Sequence, residues 1–344
     1  SYGGITRPVV IEQLPDVFVE RVGITTKRAA DGWTADISAT IRNLADTDAS
    51  ADVTLTLAGQ TFTQTAHIPA DSTAIICISD AHYADVTAWT PDTPALYALL
   101  AEIREGNQVL DDLIDRVGFR EISISGMDLL LNGEKLRLMG FNRHEEYGAF
   151  GCAVPLQAMA QDILMMKDMG CNCVRTCHYP NDPRFLDLCD EMGLLVWEEA
   201  HARGLQEEQM RNPNFMPQTR QCVREMVAQH RNHPSIFIWG CLNECADNCD
   251  YGADCYREVY ALLHDLDASR PMTAALLERP GSRVYGDSDV VSVNIYPQWY
   301  HNTPVAESLA QKLKEIREHG GAGKPVIISE IGAGGIYGYH DPLG

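Results

Sequence analysis

From about Val17 to Arg120, apolar and polar residues alternate with a period of two. In "ADISATIRNL", Ala35, Ile37, Ala39 and Ile41 share one face, and in "ADVTLTLAG", Val53, Leu55 and Leu57 alternate with threonines. Short alternating strands, separated by turns such as Ala30-Asp31-Gly32 and Asp46-Thr47-Asp48, predict an antiparallel β-sandwich. No residue cluster in this half has a catalytic character, so it reads as scaffold.

After "DRVGFREISI" the period changes. "GEKLRLMGFNRH" reads as a strand, "PLQAMAQDILMMKDMG" as a helix on a 3.6-residue period, and "CNCVRTCHYP" as a second strand. In "NDPRFLDLCDEMG", Asp182 is placed to cap a helix, Pro183 to open it and Gly193 to stop it. "LLVWEEA", "HPSIFIWGCLNE", "MTAALL", "DVVSVNIYP" and "KPVIISEIG" continue the strands, with helices near 218–230, 255–266 and 305–319 between them. Seven near-continuous apolar strands alternating with helices predict a parallel sheet covered by helices. A (β/α)₈ TIM barrel fits, with strand eight absent because the chain stops at Gly344. A doubly wound open sheet is the alternative, but no glycine-rich phosphate loop follows any strand.

A length of 344 residues suits the two domains this change of period implies. The net charge of −21 disfavours nucleic acid and anionic membrane surfaces as partners, and leaves a neutral small-molecule substrate open. No apolar run approaches the roughly 20 residues of a membrane helix. The chain opens "SYGG" without a methionine, so its natural N-terminus is expected upstream. The eleven cysteines form no paired CxxC motifs. Reduced, mostly buried thiols and a cytoplasmic location are expected, and a homo-oligomer is compatible with the sequence.

In such a barrel, chemistry belongs at the C-terminal ends of the strands. Those positions hold Asn142, Arg143 and His144; Arg175, His178 and Tyr179; Glu198, Glu199 and His201; and Asn243 and Glu244. Strand six adds Asn294, Tyr296, Trp299 and Tyr300, and strand seven Ser329 and Glu330. A lone histidine or glutamate at a strand end is ordinarily a hydrogen-bonded or solvated structural residue. Here six strands bring polar and aromatic groups to one end, which an unrelated distribution would scatter.

Glu244 and Glu330, three strands apart, face each other across that end and suggest glycoside hydrolysis. One carboxyl protonates the leaving oxygen and the other attacks the anomeric carbon or activates water. Retaining enzymes hold the two roughly 5–5.5 Å apart. Arg175 and Tyr296 are placed to keep Glu330 an anion, while burial near Trp239 would fit Glu244 for proton donation. Asn243 is placed to hold a sugar hydroxyl, and Trp299, Tyr300 and Trp197 to stack on a sugar face, although Trp197 serves equally as core.

Five stretches, "GFNRHE", "CNCVRTCHYPNDPRFLDLCDEMGLLVWEE", "HPSIFIWGCLNE", "NIYPQWY" and "KPVIISEIGAGG", together resemble glycoside hydrolase family 2, in family order. The resemblance runs from about Tyr2 to the end of the chain. It implies a retaining mechanism with acid/base Glu244 after Asn243 and nucleophile Glu330. It also implies substrate contacts from Asn243, His144, Arg175, His178 and Tyr296, and the strand-end residues Trp299 and Glu199 are expected to join them. The family's domain order gives 1–16 as the tail of a sugar-binding jelly roll, 17–120 as an immunoglobulin-like β-sandwich and 121–344 as an incomplete TIM barrel.

The resemblance implies an exo-β-glycosidase on terminal β-linked sugars, with β-galactosidase favoured and β-glucuronidase or β-mannosidase as alternatives. "GAGG" after Glu330 is galactosidase-like, whereas "QWY" is glucuronidase-like. Where the magnesium-using galactosidases have a ligand glutamate, "EEAHARGL" has Arg203, so no metal and no cofactor is expected. Two readings from other classes remain. One is a non-catalytic carbohydrate-binding or scaffold fragment; the other is a metal-dependent barrel hydrolase using His144, His178 and Glu199.

Overall fold

The computed structural model describes residues 3–335 and 338–340. Residues 1 and 2 of the expected jelly-roll tail, and 336, 337 and 341–344 of the expected barrel domain, lie outside the described residues. The chain divides into two compact units. One takes the residues up to Ser123 with Leu129–Glu198 and Glu225–Phe237; the other takes Ile124–Asp128, Glu199–Arg224 and the residues from Ile238 onward.

Among the described residues, the first unit opens with a segment outside helix and strand, followed by a sandwich. Strands β1 (Val17–Ala29), β2 (Gly32–Asn43), β3 (Ala49–Leu57), β4 (Gln60–Ile68), β5 (Ser72–Tyr83), β6 (Tyr97–Glu105) and β7 (Gln108–Val117) form two antiparallel sheets, ordered β1-β2-β5 and β4-β3-β6-β7. The alternation decides which side chains go inside. Ala35, Ile37, Ala39 and Ile41 of β2 and Val53, Leu55 and Leu57 of β3 are at most 1% exposed and share one core. Burying each side chain of leucine size contributes roughly 1.5–3 kcal/mol. At the expected turn after Ala30-Asp31, Gly32 has φ +129°, and a Cβ there would lie 2.4 Å from the Tyr83 carbonyl oxygen.

The sandwich is tied within this unit to elements that follow it. The Trp89 indole N–H donates to the Asp190 carbonyl at 2.9 Å. Arg120, buried, donates to the carbonyls of Pro234 and Ile236 at 3.2 Å each. The Asn232 amide donates to the Val22 carbonyl and to Asp115. These bonds satisfy groups that burial would otherwise penalise.

A small sheet with the order β10-β9-β8 follows, from β8 (Ile122–Ser125), β9 (Asp128–Leu131) and β10 (Glu134–Lys135). Strand β11 (Gly140–Asn142), helix α1 (Leu156–Asp168), strand β12 (Cys173–Arg175), helix α2 (Pro183–Met192) and strand β13 (Leu195–Glu199) come next, and β11, β12 and β13 pair in parallel. Asp182 caps α2 by accepting from the Arg184 amide, and Gly193 ends it with φ +70°. Helices α3 (Glu207–Met210) and α4 (Phe215–His230) lead to β14 (Ile236–Gly240).

Strands β13 and β14 each start in the first unit and end in the second. The second unit continues with α5 (Asp250–Leu266), β15 (Met272–Thr273), β16 (Ala275–Leu277), β17 (Val291–Asn294), α6 (Val305–Ile316), a π-helical turn over Arg317–Gly321, and β18 (Val326–Glu330). Its strand pairs are parallel. Strands and helices alternate in the order a (β/α)₈ barrel requires, with seven strand positions among the described residues.

Two strands depart from expectation. "GEKLRLMGFNRH" is not one strand: Glu134 and Lys135 pair back onto Leu131 and Leu130, and the first parallel strand begins only at Gly140. There the chain approaches so closely that a Cβ would lie 2.0 Å from the Cys173 carbonyl oxygen. The fifth strand is broken at Ala274, because Met272 and Thr273 pair with β14 whereas Ala275–Leu277 pair with β17. All eleven cysteines are free; five are buried, five half-buried and Cys77 exposed. Among the described residues no helix is long and apolar enough to cross a membrane.

Candidate active site

Strand β14 is wholly buried, and its apolar run ends in a turn of unusual backbone. Leu242 has φ +48° and Glu244 φ +53°, left-handed values that cost side-chain-bearing residues roughly 1–3 kcal/mol each. Such a turn persists only where its surroundings fix it. Here every carbonyl from Leu242 to Cys245 has a partner. The buried Tyr256 hydroxyl of α5 lies 2.7 Å from the Leu242 oxygen and 3.1 Å from that of Cys245. Gly204 N–H donates to Asn243 O at 2.8 Å. Arg279, just beyond β16, donates to the oxygens of Glu244 (3.2 Å) and Cys245 (2.5 Å). The Glu244 amide in turn donates to Ala275 O at 2.8 Å.

The result is a half-buried Glu244 carboxyl aimed at β17. Asn294 Nδ2 donates to Glu244 Oε1 at 2.8 Å and to Asn243 Oδ1 at 3.2 Å. The other side of the same amide, Asn294 Oδ1, accepts from Ser329 Oγ at 2.7 Å. The register of β17 against β18 shifts by one residue here, so Asn294 pairs with Glu330 instead of Ser329. A bulge of this kind re-aims a side chain without ending the ladder. One buried amide therefore joins the turn bearing Glu244 to the strand bearing Glu330.

Glu330 has its own donor. The Tyr296 hydroxyl lies 2.6 Å from Glu330 Oε2. Burial pushes the Tyr296 phenol up, and the hydrogen bond to Glu330, its charge and then that of Glu244 push it further. The phenol thus stays a neutral donor, and it senses both carboxylates at once. Trp239, expected beside Glu244, sends its indole N–H to Asp267 at 3.0 Å and lies under Arg270.

The other expected residues fall into two groups. In the second unit, Glu199 is fully buried and its charge adds to the burial that pushes the Cys241 thiol up. Trp299 is half exposed, with its six-membered ring against Gly334, where a Cβ would come within 3.1 Å. Tyr300 packs on Tyr296 at 5.1 Å between centroids. In the first unit, Arg175 reaches His178 Nδ1 (3.1 Å), and His144 lies against His178 with ring centroids 5.4 Å apart. Trp197 is 3% exposed with the Arg175 guanidinium over its ring, so it belongs to the core and is no sugar platform. The metal-type group that accompanies His144 and His178 is Cys177, within 4.8 Å, beside the cation of Arg175.

Sequence reasoning passed over the fifth strand. Glu278 and Arg279 directly follow its last residue, Leu277, at the end where the other strands carry polar groups. Glu278 accepts from Ser308 Oγ at 3.0 Å, His301 Nε2 at 3.3 Å and Tyr296 N–H at 3.4 Å, which braces the loop bearing Tyr296 and Trp299. Asn294 was visible as a strand-end polar residue, but its link between the two glutamates was not.

These motifs and this fold place the chain in glycosyl hydrolases family 2, to which it belongs: residues 17–120 match the model "Glycosyl hydrolases family 2" and residues 122–341 match "Glycosyl hydrolases family 2, TIM barrel domain". The chain is similar to the crystal structure of a GH2 β-galacturonidase from Eisenbergiella tayi bound to galacturonate, at 44% identity and TM-score 0.94, covering 96% of this chain and 60% of that one. It resembles a Bacteroides uniformis β-glucuronidase at 27% identity and TM-score 0.83, covering 93% and 42%. It is 37% identical over 186 residues to a β-galactosidase of Thermoanaerobacter pseudethanolicus, covering 53% of this chain and 24% of that protein. A Formosa agariphila relative, 33% identical over 315 residues, is spanned over 36% of its length. The chain thus corresponds to part of each of these proteins.

Proposed function

We propose that the protein of which this chain is a part is a retaining exo-β-glycosidase. Glu330 attacks the anomeric carbon while Glu244 gives its proton to the departing glycosidic oxygen, leaving a glycosyl ester on Glu330. Glu244, now a carboxylate, takes a proton from water as the water oxygen attacks the same carbon, and Glu330 leaves as a carboxylate. The observation that carries the reading is the pair of donors on adjacent backbone of β17 and its loop: Asn294 on Glu244 and Tyr296 on Glu330. Different partners give two carboxyls different roles. Asn243, His144, Arg175, His178, Tyr296, Trp299 and Glu199 are assigned to the substrate, Trp299 by its exposed ring and the others by their hydrogen-bonding groups.

For the sugar, the reading favoured is a β-D-galacturonide, supported by the 44% identity to the Eisenbergiella tayi β-galacturonidase over 96% of the chain. Galacturonate shares its C4 configuration with galactose and its C6 carboxylate with glucuronate, the sugars named for the other relatives. A β-galactosidase is the second reading, supported by the Thermoanaerobacter relative. The test is hydrolysis of aryl β-D-galacturonide, β-D-galactoside and β-D-glucuronide by the longest available form of the protein. Preference for the galacturonide, lost in Glu330→Gln, is expected. Preference for the galactoside selects the second reading, and no turnover of any aryl glycoside overturns catalysis in favour of a binding role.

A further inference from the structure

We propose that Arg279 is a positioning residue that fixes the proton-donating geometry of Glu244; the inference rests on the glycosidase reading above. Arg279 is the one side chain whose donors reach the carbonyls of both Glu244 and Cys245 among the described residues, at 3.2 and 2.5 Å. Its Nε donates to Asp247 Oδ1 at 2.8 Å, and Asp247 is fully buried. The guanidinium thus spans Glu244 to Asp247, across the residues where the backbone leaves its left-handed turn. It does not touch the Glu244 carboxyl, whose hydrogen bond comes from Asn294.

The chemistry of the arginine matters. A planar fork presents several donors in fixed directions, so one side chain holds two carbonyls and one carboxylate simultaneously. A lysine at the same place keeps a cation for Asp247 but lacks the fork. Without the fork, the Glu244 carbonyl loses its donor and the left-handed residue is free to relax. A displacement of about 1 Å at a reacting group costs on the order of 10²-fold in rate. The loss falls on proton donation, because the donors of Arg279 reach the Glu244 and Cys245 carbonyls and Asp247, whereas the phenol on Glu330 belongs to Tyr296.

This makes a claim that simple destabilisation does not. Leaving groups differ in how much they need an acid: 2,4-dinitrophenolate departs unaided, whereas phenolate requires protonation. For Arg279→Lys, kcat/KM on the phenyl glycoside is expected to fall roughly 10–100-fold. On the 2,4-dinitrophenyl glycoside it should fall less than about threefold, as expected for Glu244→Ala run beside it. If the lysine variant does not fold, Arg279→Met with Asp247→Asn, which leaves no lone buried charge, should show the same split. Equal losses on both substrates, or no loss on either, overturn the proposal while Glu244→Ala still shows the split. A wild-type protein silent on every aryl glycoside overturns the glycosidase reading, and the positioning role with it.

Discussion

The two glutamates reach the site by opposite structural routes. Glu330 ends a regular parallel strand, and its aim comes from a one-residue shift in pairing plus a phenol donor. Glu244 lies past the end of its strand, in a left-handed turn pinned by Tyr256, Arg279 and the Gly204 amide. A strand end is stiff because its neighbours share the ladder, so a carboxylate there needs few additional supports. The turn has no ladder, and its order is supplied by side chains 14 and 35 residues further along the chain. The comparison teaches that the turn bearing Glu244, unlike the strand bearing Glu330, takes its backbone order from side chains elsewhere in the chain.

The sharpest way to test the difference is to remove the carboxyls. Glu330→Gln is expected to lower kcat on any aryl glycoside by on the order of 10⁴-fold or more, with an unchanged unfolding midpoint. Glu244→Ala should cost about 10²–10⁴-fold on poor leaving groups and much less on activated ones. Azide, a small nucleophile needing no base, should restore its turnover and yield the β-glycosyl azide. If azide rescues Glu330→Gln with a β product instead, the roles are reversed.

Smaller changes address the supports. Tyr296→Phe removes one hydrogen bond to a carboxylate, worth about 1.5–3 kcal/mol, so kcat/KM should drop roughly 10–150-fold. That loss should be similar for good and poor leaving groups, because it strikes the attacking side. Ser329→Ala removes a neutral bond to Asn294, worth about 1 kcal/mol. A few-fold rate loss with a slightly lower urea midpoint is expected; a loss as large as that of Tyr296→Phe would mean that Asn294 transmits more between the glutamates than its single bonds suggest.

Much of this was visible in the chain itself. The period-two face of Ala35, Ile37, Ala39 and Ile41 is a core face because alternate residues of a strand point the same way. Likewise Asp182, Pro183 and Gly193 mark a helix that forms between them. The misses share a cause. The break at Ala274 and the start of β11 at Gly140 depend on which neighbouring strand each residue meets. "MTAALL" carries no sign of that choice. The turn at Leu242–Cys245 was equally hidden, since neither leucine nor glutamate announces a positive φ. Arg279 adjoined the right strand end, yet its target lies in the turn beyond a different strand.

The offset between β17 and β18 works like a reading frame. Alternate residues of β18 face opposite ways, so with the chain paired one residue out of step, Ser329 would sit opposite Asn294 and the carboxylate would point to the other face. The pairing therefore sets which side chain of β18 meets Asn294, and a slip would part the Glu330 carboxylate from the Tyr296 phenol without any change in sequence.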